Sequence, residues 1–92
     1  MSESNTVLIG RKPVMNYVIA CITIFHTGVH EVNIKARGQS ISLAVDVVEL
    51  VRGKFLPDIK IQKVAIGTEQ VALKEQANTL TNVSTIEITL TR

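Results

Sequence analysis

The amino-acid sequence predicts an α/β fold, a two-layer sandwich with helices on one face of a small mixed sheet. Three observations carry this. Runs of Val- and Ile-rich residues alternating with period two are interleaved with two segments of helical period. Gly and Pro stand at the joins between them. The resulting order is strand, helix, strand, helix, strand, strand, which short connections close into two layers.

Each element has its own local reason. Thr6-Val7-Leu8-Ile9 is a short β-branched run ended by Gly10 and reads as a buried strand. Pro13 suits a first helical turn, where its missing N–H costs nothing. From Pro13 to about His26 the polar residues Asn16, Thr23 and Thr27 leave one narrow stripe on an otherwise apolar helix, and Gly28 offers a left-handed cap. Val32, Ile34 and Ala36 then alternate with Asn33, Lys35 and Arg37, so the two cations share the face opposite the apolar one. After the turn Gly38-Gln39-Ser40, the residues Ile41, Ala44, Val45, Val48, Val51 and Phe55 fall at helical spacing, until Pro57. Leu43, Val47 and Leu50 add a second apolar stripe, which predicts packing on the sheet and on something else. Alternation over Ile59–Gln62 reverses phase over Lys63–Ile66, which predicts a bulge near Gln62-Lys63. Val83–Leu90 is the last strand. The polar stretch Thr68–Asn82 between these strands is too long for a tight hairpin. If both strands run into it, a two-stranded arm projects by roughly 20 Å, a shape that enters a nucleic-acid groove. The expected organisation is one domain over residues 1–92, with 1–5 a flexible start and 68–82 the arm.

Composition excludes several functions. With 92 residues, 46% of them apolar, the chain builds one core. Aromatics are 3%, too few for a platform that stacks several bases. The single Cys21 makes neither an internal disulfide nor a thiolate-rich metal site, and in an apolar helix it reads as an inert core thiol. Val14–Phe25 is too short to span a membrane, and Met1–Asn5 lacks a secretory pattern. His26, His30 and Glu31 lack a fourth partner for a metal, and no Gly-rich phosphate loop or catalytic constellation is visible. An enzyme, a cofactor and a bound metal are therefore not expected. The net charge of +2 is unevenly spread: eight basic against five acidic residues up to Lys63, then two against three. The positive potential resides in the first two thirds of the chain.

The segments Val7–Val18, Ile34–Gly38, Ala44-Val45-Asp46, Val48-Glu49, Arg52, Phe55 and Asn82–Ile88 together resemble the Alba family of archaeal chromatin proteins. The resemblance runs from about Val7 to Leu90. It implies a β1α1β2α2β3β4 fold like the C-terminal domain of translation initiation factor three, with a long arm between the last two strands. It further implies a cytoplasmic, chromosome-associated homodimer that binds double-stranded DNA with little sequence preference, coats and compacts it, and also binds RNA. Carried onto this sequence, Arg11 and Lys12 form the family's basic doublet, Asn16 and Tyr17 follow in the same helix, and Lys35 and Arg37 lie in the segment facing nucleic acid. Arg52 and Phe55 match the side-by-side contact between dimers. Lysine acetylation in the doublet weakens DNA binding in the family, and here only Lys12 is available for it. The chain departs from the family where Gln39 and Leu43 stand in place of basic residues, and where the arm carries Lys74 against Glu69 and Glu75.

The residues themselves fit such a role. Lys and Arg displace condensed counterions from phosphates, Arg37 can hold one bidentately, and Lys12, Lys35 and Lys74 act as point charges. Arg11 and Lys12 stand at a helix N-terminus, where the dipole disfavours cations and favours an anionic partner. Asn16 and Gln39 serve either as phosphate or sugar ligands or as polar helix-face and turn residues. Tyr17 is either a core residue with a surface hydroxyl or a backbone contact. Two further functions are weighed: an RNA chaperone or a subunit of an RNA-processing particle, and a subunit that pairs with a more basic paralogue through Leu43, Val47 and Leu50.

Overall fold

A computed structural model of the chain describes residues 5–73 and 76–92, and the side chains of all of these except 76–78. The expectation for the start of the chain falls largely on residues 1–4, outside the described residues. The elements are β1 (Thr6–Leu8), α1 (Val14–His26), β2 (Glu31–Arg37), a 3-10 turn (Gly38–Ser40), α2 (Ile41–Leu50), a π-helical turn (Val51–Phe55), β3 (Lys60–Leu73) and β4 (Gln76–Thr91). They form one sheet in the order β1-β2-β4-β3, with β1 parallel to β2 and the other pairs antiparallel.

Pro13 sits just ahead of α1 rather than inside its first turn, and its carbonyl accepts the Asn16 N–H at 3.0 Å. Tyr17, Val18, Cys21 and Phe25 are the buried face, at the one-and-four spacing of a single helical stripe. Met15 and Ile19 are exposed, so less of the helix is covered than its apolar composition suggests. At the other end Thr27 closes the helix and Gly28, with φ 99°, takes the left-handed conformation expected of it.

Val32, Ile34 and Ala36 face the helices while Lys35 and Arg37 face outward. The core is centred on Ile34, Leu90, Val18, Val32, Val47, Val48 and Val51. The second stripe of α2 is absorbed by the chain itself: Val47 is fully buried, Leu43 and Leu50 pack against the core, and α1 lies alongside. Val45, expected among the core positions, is exposed instead. The last turn of α2 widens into a π turn, in which the Leu56 N–H reaches back five residues to the Val51 carbonyl at 2.7 Å.

The phase reversal in β3 is a bulge, with Ile61 opposite Leu90 and Lys63 opposite Thr89. Beyond it the pairing continues through Thr68↔Ser84 to Ala72↔Leu80, so both strands run into the polar stretch and form the arm. At ~3.3 Å per residue the 14 residues of β3 span roughly 46 Å, which accounts for the 45 Å long axis of the molecule.

Gly38 joins β2 to the 3-10 turn with φ 58°, and a Cβ there would stand 3.3 Å from Val83 Cγ1 at the root of the arm. Gly38→Ala combines the left-handed penalty with this tight contact. It is expected to lower stability by about 1–2 kcal/mol, measured by urea unfolding.

Candidate nucleic-acid interface

Because β1 and β2 are parallel, their C-terminal ends lie at the same edge of the sheet. The chain leaves β1 through Gly10-Arg11-Lys12 and leaves β2 through Arg37-Gly38-Gln39. The two exits touch: the Ser40 hydroxyl donates a long hydrogen bond, 3.4 Å, to the Gly10 carbonyl. The arm departs from this same edge. Arg37 is the last β2 residue paired to β4, at Thr85, and the hairpin continues beyond that register. Arg11, Lys12, Arg37 and Gln39, all exposed, therefore cluster at the root of a two-stranded projection.

The loop carrying the doublet is held from below. Tyr17 is buried, and its phenolic oxygen accepts the backbone N–H groups of Gly10 and Lys12, each at 2.9 Å. Tyr17 thus fixes the loop that displays Arg11 and Lys12, and its ring belongs to the core. Those two N–H groups are consequently engaged inside the protein. Asn16 is exposed on the first turn of α1, beside the loop.

Lys35 lies one outward-facing step back from Arg37 on β2, flanked by Leu8 on β1 and Glu87 on β4. With Arg37 it lines a shallow concavity of about 600 Å³ on the helix-free face, floored by Gly67 and Thr85. Glu69 and Glu87 line it too, so its formal charge is balanced. Arg37 Nη1 donates to Glu69 Oε1 at 2.6 Å. The unbalanced positive charge is therefore at Arg11 and Lys12; neither forms a salt bridge among the described residues.

Arg52 and Phe55 are not part of this cluster. The chain leaves the basic edge into α2, whose 10 residues carry it about 15 Å away, and both residues follow at the far end. There Arg52 Nε donates to Glu49 Oε2 at 2.7 Å, and Phe55 is partly exposed. Lys74 lies outside the described residues.

Two contributors escape the sequence reading. Ser40 ties the two exits together, a contact between residues 30 apart. Glu69 neutralises Arg37 across the sheet; the alternation Gly67–Glu69 gave the only available signal, that both face the same side.

Other reactive groups lie elsewhere. His26, His30 and Glu31 are exposed at the opposite end of the sheet. No group of three metal-ligating side chains occurs among the described residues. Burial pushes the Cys21 thiol up to about 12, so it stays protonated and unreactive at neutral pH. No helix among the described residues is long and apolar enough to cross a membrane.

Comparison with known proteins gives a consistent result. The family model described as Alba matches residues 5–68, ending where the arm begins. The DNA/RNA-binding protein Alba of Methanocella arvoryzae is 51% identical over 92 residues, spanning 100% of this chain and 94% of the relative. DNA/RNA-binding protein Alba 1 of Archaeoglobus fulgidus is 53% identical over 88 residues, 96% of each chain. Among solved structures, Alba from Thermoplasma volcanium superposes with a TM-score of 0.90 at 45% identity, covering 96% of this chain and 100% of its own. The crystal structure of ALBA1 from Trypanosoma brucei gives 0.77 at 26% identity, covering 97% of this chain and 69% of its own.

Proposed function

The chain belongs to the Alba family, and on that premise we propose that it is a chromosome-associated architectural protein that binds double-stranded DNA without sequence preference, coats and compacts it, and also binds RNA. The observation that carries this reading is the convergence of the Arg11-Lys12 and Arg37-Gln39 exits at the root of the β3–β4 arm. Cations on loops contact phosphates, which carry no sequence information. Asn16 and Lys35 extend the contact surface to either side. Tyr17 acts by holding the doublet loop. Lys12, the one lysine of the doublet, is the position at which acetylation would remove a charge.

Two copies double a small cationic cluster, and the surface of β3 supports their pairing. Val64 and Ile66 project on the helix-bearing side of the sheet, beyond the reach of the helices, and are 53% and 82% exposed. Phe55 and Arg52, at the far end, are free of the basic edge and suit contact between neighbouring dimers. For pairing with a paralogue, the stripe of Leu43, Val47 and Leu50 offers only its partly buried members Leu43 and Leu50, since Val47 lies in the chain's own core.

RNA is the second reading, favoured by the balanced charge around Arg37. Tyr17 and Phe25 are buried and Phe55 is remote, so base stacking contributes little to either mode. Competition between duplex DNA and structured RNA separates the two. The test of the shared mechanism is a gel-shift series at rising salt. With three or four phosphate contacts per chain the log K against log salt plot is expected to fall with a slope of roughly −3 to −4 for each chain bound. A flat response overturns the electrostatic account.

A further inference from the structure

We propose that Glu69 is an intramolecular competitor for the phosphate site at Arg37, setting the affinity of the interface below what its cations alone would give. The proposal rests on the nucleic-acid reading above and adds a residue that works against it.

The geometry is specific. Arg37 of β2 is in register with Thr85 of β4, and Thr85 with Gly67 of β3. Glu69 lies two residues further along β3, on the same face. To meet Glu69 the guanidinium crosses one whole strand, about 10 Å from β2 to β3. It does so over the two small residues that floor the concavity. A Cβ at Gly67 would stand 3.2 Å from Thr85 Oγ1, so a larger residue there would press on Thr85. The pair closes at 2.6 Å between side chains 60% and 52% exposed.

That exposure decides how the pair behaves. A solvated ion pair is weak, and a phosphate offers the guanidinium a bidentate acceptor. Nucleic acid can therefore displace the carboxylate. The displaced carboxylate remains within reach of the incoming phosphate and repels it. Glu69 thus attenuates the contact at Arg37 without abolishing it. Arg11 and Lys12 have no such rival among the described residues. The pair also spans the body and the root of the arm, and a tethering role would predict the opposite sign of effect, since releasing the arm would weaken binding.

The experiment compares the unmodified protein, Glu69→Gln, Arg37→Ala and the double variant, by fluorescence anisotropy with one mixed-sequence DNA duplex over a salt series. Glutamine keeps the size of the side chain and removes its charge. Glu69→Gln is expected to bind roughly two- to five-fold more tightly. Its salt slope should stay nearly unchanged, because Arg37 meets the phosphate in both proteins and the same counterions are released. In the Arg37→Ala background the same replacement should change affinity by far less. Equal or weaker binding by Glu69→Gln overturns the proposal, and so does an equal gain in both backgrounds, which would mean a diffuse charge effect. If Arg37→Ala binds as the unmodified protein does, Arg37 is no phosphate ligand and the proposal falls while the wider reading stands on Arg11 and Lys12. Absence of binding by all four proteins sinks the nucleic-acid reading and the proposal together.

Discussion

The double variant Lys12→Ala, Arg37→Ala is expected to bind duplex DNA about thirty-fold more weakly for each chain in contact at 0.15 M salt, by the same factor on every base sequence. Each phosphate contact contributes about 0.9 to the log–log slope, which at that salt corresponds to roughly five-fold in affinity, and two such contacts multiply. The two residues sit on different exits, one after β1 and one at the end of β2, so their losses should be close to additive. The slope itself should flatten by about two per chain. Arg92→Ala is the matching control. Arg92 pairs with Asp58 at 2.9 Å and lies at the end of the sheet opposite the doublet. It changes the net charge without touching the interface, and should cost little in affinity or stability. Filter binding or anisotropy across several duplex sequences checks all of this. An equal loss in the control would reduce the site to overall charge. A loss confined to some sequences would mean that bases are being read.

What the sequence could disclose was set by how local each signal is. The position of Lys35 and Arg37 opposite the core is legible because strand alternation is decided within seven residues. The bulge in β3 was legible for the same reason, since a change of phase needs no partner to be noticed. The extent of the arm was not visible as pattern. Its polar residues carry no periodicity, and each of its strands takes its hydrogen bonds from the other, so only pairing defines it. The Arg37–Glu69 contact joins residues 32 apart through the register of three strands, beyond any local rule. The apolar surface of α1 misled in the other direction. Composition reports how much of a helix can be buried; Met15 and Ile19 remain exposed because only one stripe meets the sheet. The resemblance to a known family points to the doublet but not to the Tyr17 hydroxyl that supports it.

Tyr17→Phe is expected to lower stability by about 1–3 kcal/mol and to weaken DNA binding several-fold, although the lost atom carries no charge. The ring would stay in the core, so no large cavity forms. What disappears is one oxygen that accepts two backbone N–H groups, those of Gly10 and Lys12, at 2.9 Å each. Both bonds are partly buried, so the donors are left short of an acceptor in a place water reaches poorly. The position where a Gly10 Cβ would stand is 3.4 Å from the hydroxyl, so the loop rests directly on it and would sag or open without it. Arg11 and Lys12 then lose their fixed place above the helix N-terminus, and ordering them again on binding costs conformational entropy. Amide hydrogen exchange at Lys12 is the direct readout, because its N–H is protected only while the phenol holds it. Urea unfolding gives the stability change, and anisotropy at a temperature where the variant is fully folded gives the binding change. Tyr17→Ala should cost far more, about 3–5 kcal/mol, since it also empties the core beneath the loop. If Tyr17→Phe unfolds more easily yet binds DNA unchanged, the hydroxyl serves the fold alone. A doublet that acted merely as mobile charge would behave in that way, whereas one that must be held in place should lose affinity together with the protection of the Lys12 amide.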